Sequence, residues 1–222
     1  MTVPLPPIVK NVLLSAYNPV ANFYKNKILK VSHQTHFQDR TVEKWDLIKH
    51  ELPRTPGSLL DIGCSEGKFT LKAASVGYSA WGIEGKDAAV KRAVEASAKD
   101  LEANALFTPG LLTPQAARHL PTYDVILLLS VLHQLVTHYG EEVAVTMVQD
   151  LLNSCRQKLI LELAGTNRKY GHPVLNRDND QASVDAFVRR LLPMGWNMRL
   201  VGAVPYTDEE HNRFVYVIER EN

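Results

Sequence analysis

Only two cysteines, Cys64 and Cys155, occur in 222 residues. Two cannot build a disulfide framework or a four-cysteine zinc site, so no metal site is expected and a reducing, cytoplasmic setting is the default. Long apolar runs are also missing. The longest, Val125–Leu129 and Leu159–Leu161, fall far short of the ~20 residues that cross a bilayer. The opening Met1-Thr-Val-Pro-Leu-Pro-Pro7 has no basic cap before an apolar stretch and is not expected to act as a signal peptide. Neither charge sign dominates: 25 Lys and Arg face 24 Asp and Glu, a net charge of +1. Such a balance gives no whole-molecule field to hold a polyanion, so there is no strong nucleic-acid signal. A mild asymmetry remains, +4 in the first 50 residues and −3 in the rest. It reads as a solvated basic face, with peripheral membrane contact or an anionic substrate as the other readings. Repeats and low-complexity tracts are absent.

What the sequence does have is globular composition, 45% hydrophobic and 22% charged, and an α/β rhythm. Residues 1–55 read as a helical N-terminal cap or extension, broken early by prolines 4, 6, 7 and 19. It contains a helix from Thr41 to Glu51 whose apolar face is Val42, Trp45, Leu47 and Ile48. The breaker cluster Leu52-Pro-Arg-Thr-Pro-Gly57 marks a boundary. Over 56–222, short apolar strands at 58–63, 79–84, 105–108, 123–130 and 158–164 alternate with helices at 66–76, 88–101 and 141–155. A helix at 183–192 and two strands at 198–204 and 214–219 follow. Strands that are apolar throughout and separated by helices predict a Rossmann-like, mostly parallel seven-stranded sheet with helices on both faces. The last two strands, close together, predict an antiparallel hairpin.

The first strand-to-helix turn, Leu60-Asp61-Ile62-Gly63-Cys64-Ser65-Glu66-Gly67-Lys68, carries the chemistry. Small residues there let a ligand approach the backbone. Glu84 ends the second strand 23 residues after Asp61, the spacing at which an acid accepts hydrogen bonds from ribose hydroxyls. The Gly-x-Gly-x-x-Gly dinucleotide fingerprint is lacking, and Asp61 would repel a pyrophosphate. A nucleoside carrying positive charge suits the turn instead, and S-adenosylmethionine, with a sulfonium, an ammonium and a ribose, is the expected cofactor.

On these residues the sequence resembles the class I S-adenosylmethionine-dependent methyltransferases. The family's Asp-x-Gly-x-Gly-x-Gly turn is matched at Asp61, Gly63 and Gly67, with Ser65 in place of the middle glycine. Glu84 matches the family's acid after the second strand, and Ser130-Val-Leu-His133 its segment after the fourth. The resemblance implies a cofactor site of Asp61, Gly63, Cys64, Ser65, Gly67, Glu84 and Ser130. The family's acid after the third strand has no counterpart in Thr108-Pro-Gly-Leu-Leu112, which leaves Leu111 or Leu112 for the adenine. A narrower resemblance, carried by Ser130–His133, Leu161–Ala164, Arg213 and the upstream Gln38-Asp-Arg40 and Trp45–Ile48, is to the methyltransferase domain of the bacterial O-antigen chain terminators. Those enzymes methylate a terminal phosphate on a polysaccharide.

Methyl transfer needs an aligned acceptor and, for a neutral hydroxyl, a base; an anionic acceptor needs cations instead. Candidates on the acceptor side are His133, Arg40, Glu162 and Arg213. His133 is read equally as a base or acceptor donor and as a packed helix-start histidine, and Glu162 as a substrate ligand or the partner of a basic residue. Cys64 is read as a small filler and His138 as a surface residue. Tyr206 and Arg213 flank the acidic 207–212 hairpin loop, which is read as solvated; the basic stretch 167–172 is read equally as a substrate-contacting loop and as an ordinary surface loop, and 11–30 as a lid or docking segment, with a packing extension as the other reading. The expected acceptor is a small molecule, sugar or sugar phosphate. An RNA end or a protein side chain are alternatives, as are a non-catalytic binding module and, disfavoured by the missing fingerprint, a nucleotide-dependent oxidoreductase.

Overall fold

A computed structural model describes residues 38–99, 104–164, 181–205 and 212–221. The elements in chain order are α1 (Gln38–Glu51), β1 (Ser58–Ile62), α2 (Lys68–Ser75), β2 (Ser79–Glu84), α3 (Asp87–Ser97), β3 (Ala105–Pro109), α4 (Pro114–Arg118), β4 (Tyr123–Leu129), α5 (Leu132–Tyr139), α6 (Glu141–Asn153), β5 (Cys155–Ala164), α7 (Gln181–Leu191), β6 (Trp196–Pro205) and β7 (Asn212–Arg220). Seven strands form one sheet in the order β3-β2-β1-β4-β5-β7-β6. Strands β1 to β5 pair in parallel, and β7 runs antiparallel between β5 and β6. The Rossmann-like sheet and its C-terminal antiparallel hairpin are therefore as the periodicity predicts.

Alternation along the central strands places apolar side chains on both faces, because successive residues point to opposite sides. Leu60, Ile62, Ile126, Leu128, Leu159, Leu161 and Tyr216 pack on the side that also holds Met147, Leu151 and Phe187 of α6 and α7. Leu59, Val125, Leu127, Leu129, Ile160, Val215 and Val217 pack with Trp45 and Ile48 of α1 on the other side. On α1, Trp45 and Ile48 are buried while Val42 is exposed, so the expected apolar face is narrower by one residue. Helix α4 stands where no helix is expected, α5 realises the helix start that is one of the two readings of His133, and β5 begins at Cys155 rather than Lys158 because Tyr123 of β4 pairs with Cys155.

Register fixes which side chains share the carboxyl edge of the sheet. Asp61 lies beside Leu127, and Leu129 beside Glu162. Asp61, Glu162 and Arg213 share the parity of Leu59, Ile160 and Val215, so all three emerge on the face covered by α1 and α2.

Candidate active site

The turn after β1 is built largely from backbone. Gly63 and Gly67 have φ of 72° and 76°, and Ser65, between them, has 52°. The left-handed region costs a residue with a Cβ roughly 1–2 kcal/mol, so Ser65 bears strain that a glycine would not. The turn is fastened to β2 by Gly63 and Cys64 amides donating to the Ile83 carbonyl at 2.8 and 3.1 Å. Close approach fixes both glycines: a Cβ on Gly63 would lie 2.4 Å from Val131 Cγ2, and one on Gly67 2.5 Å from Phe107 Cε1.

Two carboxylates bracket this turn. Asp61 is buried and accepts a hydrogen bond from Thr70 Oγ1 at 2.7 Å. Burial, opposed by that bond and reinforced by the nearby Glu84 charge, raises its carboxyl to about 6. Glu84 accepts from the Ser65 amide at 2.9 Å and the Lys86 amide at 2.8 Å. Each oxygen thus holds one amide, and a carboxylate has about four lone-pair sites, so Glu84 keeps acceptor capacity for a pair of vicinal hydroxyls. Neither acid is ion-paired among the described residues. A turn of αL backbone flanked by two acids is a fitting donor set for a ribose-bearing cation. Leu111 packs on Gly85, where a Cβ would meet Leu111 Cδ2 at 2.3 Å, while Leu112 is buried in the main core. Of the two leucines, Leu111 is the one beside the Glu84 turn. Cys64 is buried, its thiol well above the usual range through burial and the Asp61 and Glu84 charges, which fits a filler and no nucleophile.

Across the edge stands a cluster of a different kind. Glu162 is fully buried at the end of β5. Lys44 of α1 donates to both its oxygens, at 2.7 and 2.9 Å. Ser130 Oγ donates to Oε2 at 2.9 Å, and Arg213 Nη1 lies 3.5 Å from Oε1. Arg213 also donates to Ser130 Oγ. Burial alone would push the Glu162 carboxyl up; Lys44, Arg213 and Ser130 overcome it and hold the group at about 2. Ser130 itself has φ of 59°, so both non-glycine residues with positive φ among the described residues sit on this edge. Strain of that kind persists where the surroundings over-determine a conformation. His133, on α5, is buried beside the cluster. Burial first, then the Arg213 charge, pull its imidazole down to about 4 against the opposing Glu162 charge.

The structure therefore gathers Asp61, Gly63, Cys64, Ser65, Gly67 and Glu84 at one half of the edge, and Ser130, His133, Glu162 and Arg213 at the other. Arg40 lies in α1 one turn before Lys44, and its side chain is outside the described residues, as are Tyr206, the 11–30 and 167–172 segments and most of the 207–212 loop. His138 is partly buried and stacks edge-on against Tyr139 at 4.2 Å, so it is not the plain surface residue expected. Sequence reasoning missed Lys44, Thr70 and Gly85. A buried Glu162 demands a cation, yet nothing local singles out Lys44, 118 residues away, among 25 basic residues.

A family model described as a methyltransferase domain matches residues 35–162. Among solved structures, the chain is similar to WbdD, described as a bifunctional kinase-methyltransferase, with TM-score 0.64 and 25% identity over 85% of this chain and 40% of that one. It is similar in fold to magnesium protoporphyrin IX methyltransferase from Synechocystis PCC 6803 with bound S-adenosylmethionine, at TM-score 0.58 and 18% identity, covering 99% and 100% of the two chains. The N-terminal domain of EvdMO1, crystallised with S-adenosylhomocysteine and D-fucose, gives TM-score 0.58 and 17% identity over 85% of each chain. The chain spans 40% of the length of the WbdD protein it matches. No curated protein gives a significant match.

Proposed function

We propose that the chain, which belongs to the methyltransferase-domain family, is a class I S-adenosylmethionine-dependent enzyme that moves a methyl to an anionic oxygen of a small sugar-phosphate acceptor. When bound, the cofactor supplies a methyl activated by a sulfonium. In this reading Asp61, Gly63, Cys64, Ser65 and Gly67 line the methionine end, Glu84 takes the ribose hydroxyls, and Leu111, backed by Leu112, lies along the adenine. Ser130 faces the transferred methyl. Arg213 and Arg40 hold the acceptor's anionic oxygen in line with it, and Glu162 keeps Arg213 aimed. Residues 56–222 form the cofactor-binding domain and 1–55 its cap, in a cytoplasmic setting. No described helix is long and apolar enough to cross a membrane.

One observation carries the choice of acceptor: Lys44 and Arg213 bring two positive charges to the single carboxylate of Glu162, a surplus of one at this edge, while the imidazole beside them is held down to about 4. An alcohol would need that imidazole to take a proton, and a base so weak serves poorly near neutrality. A phosphate or carboxylate oxygen is already charged, needs no base, and is matched by a guanidinium. WbdD, a kinase-methyltransferase by description, joins phosphate and methyl chemistry in one protein, which lends the reading support.

The test incubates pure protein with methyl-labelled S-adenosylmethionine and a small-molecule cell extract, before and after phosphatase treatment. Label should enter anionic products with the untreated extract and be absent when the extract is dephosphorylated before the reaction. Label that survives phosphatase and disappears with His133→Ala would replace this acceptor with a hydroxyl. No heat of binding with S-adenosylmethionine would remove the cofactor reading altogether.

A further inference from the structure

Lys44 has no place in the cofactor turn or in the strand edges where ligands of such sheets collect, yet its contacts join the two. Its ammonium grips both oxygens of Glu162 at 2.7 and 2.9 Å. The same ammonium stands 5.7 Å from the centroid of the Phe69 ring, at the start of the helix that follows the cofactor turn. Lys44 therefore lies in the seam between the half of the edge built on β1 and β2 and the half built on β4, β5 and β7. Its side chain is 15% exposed and that of Glu162 is 0%.

A carboxylate taken fully out of water must be matched by charge and hydrogen bonds, or it costs several kcal/mol by the usual order of magnitude. The groups facing Glu162 come from four elements: Lys44 from α1, Ser130 from the end of β4, His133 from α5 and Arg213 from β7. Of these, Lys44 alone donates to both oxygens, and it thereby fixes the plane of the carboxylate. That plane decides where Ser130 Oγ and Arg213 Nη1 point. A salt bridge serving stability alone has no need of strained backbone, but Ser130 holds φ of 59° to keep its hydroxyl in this cluster.

We propose that Lys44 is a positioning residue for the transfer reaction: by clamping Glu162 it sets Ser130 and Arg213 at the point where acceptor and methyl meet, and so makes α1 part of the active site. The inference rests on the methyl-transfer reading above. Lys44 acts through Glu162, and its removal should slow turnover while sparing the cofactor site.

The test compares wild type, Lys44→Arg and Lys44→Gln in two measurements: the dissociation constant for S-adenosylhomocysteine by calorimetry, and the rate of label transfer to the small-molecule extract at saturating S-adenosylmethionine. S-adenosylhomocysteine should bind all three within about threefold, because no contact in the cofactor turn changes. The transfer rate should fall about 10-fold in Lys44→Arg, whose guanidinium keeps the charge with a different reach, and about 100-fold in Lys44→Gln, the loss typical of a misplacement on the order of 1 Å. Rates within threefold of wild type in both variants would overturn the proposal. So would an arginine variant no faster than the glutamine one, or loss of S-adenosylhomocysteine binding in step with transfer, the mark of a merely structural role. If Lys44→Gln does not fold, the ordering of wild type above Lys44→Arg at equal cofactor affinity decides. A wild-type protein that binds S-adenosylhomocysteine but transfers nothing defeats the functional reading itself, a result distinct from an active wild type matched by its variants.

Discussion

The two halves of the carboxyl edge solve opposite problems. Around β1 and β2, two acids and a strained turn wait for positive charge, and the construction is mostly backbone: αL residues, amides donated to Glu84, and glycines pressed against Val131 and Phe107. Around β4, β5 and β7, side chains do the building, with Lys44 and Arg213 gathered on one buried carboxylate. The first half is compact in sequence, running from Asp61 to Glu84. The second draws on residues 44, 130, 133, 162 and 213. In the proposed reading, the cofactor is met by a local motif and the acceptor by long-range assembly.

The contrast is broken most severely by Glu162→Gln. It strands Lys44 and Arg213 against a neutral amide, and unfolding in urea should show a loss of about 3 kcal/mol. The matching change in the other half, Glu84→Ala, should act on binding more than on folding. Loss of charge-assisted hydrogen bonds worth about 2 kcal/mol raises the S-adenosylhomocysteine dissociation constant roughly 30-fold by calorimetry; unchanged affinity would detach Glu84 from the ribose.

Acid titration separates the halves by sign. Asp61 is raised from 3.8 to about 6, so between those values the folded state binds more protons than the unfolded, and its contribution to stability falls as pH rises. His133 is lowered from 6.5 to about 4, so the folded state binds fewer protons and its contribution rises with pH. The two oppose each other, and wild-type stability should be nearly flat from pH 4.5 to 6, above the range in which Glu162 loses its charge. Asp61→Asn should unmask His133, giving stability that climbs with pH by about 1–2 kcal/mol over that window, and His133→Gln should give the reverse slope. Parallel slopes in both variants would contradict the assignment. The smallest effect is expected from Ser65→Gly, which relieves a left-handed serine and should stabilise the fold by under about 1 kcal/mol, the relief being partly offset by the freer unfolded chain. Thermal unfolding would measure it.

Legibility followed the same division. The strands, the turn and Glu84 declare themselves within two dozen residues, because apolar runs, small residues and a terminal acid are local signals. Helix α4 was not read from the sequence, although it opens on a local signal, Thr113 before Pro114, whose hydroxyl accepts from the Ala116 amide. By contrast α5 follows Val131 with no side-chain cap and abuts α6 at Gly140, so the sequence offered only the helix-start reading of His133, and the burial of Leu132, His133, Leu135 and Val136 shows its extent. Val42 passes for a core residue because helical spacing cannot say how wide a stripe the neighbouring sheet will cover. Lys44 was invisible for the reason it matters: its partner is supplied by tertiary structure.

The placement of β7 between β5 and β6 has a bearing on the order in which the protein takes shape during synthesis. Asp61 to Glu84 leave the ribosome early and can close their turn against one another at once. Glu162 emerges with Lys44 already translated, but it must wait for its second cation until Arg213 has been translated and its strand slotted into the gap. Nascent chains stalled before Arg213 should therefore resist proteolysis around β1–β4 while β5 stays open to cleavage; equal protection of both would refute this sequence of events.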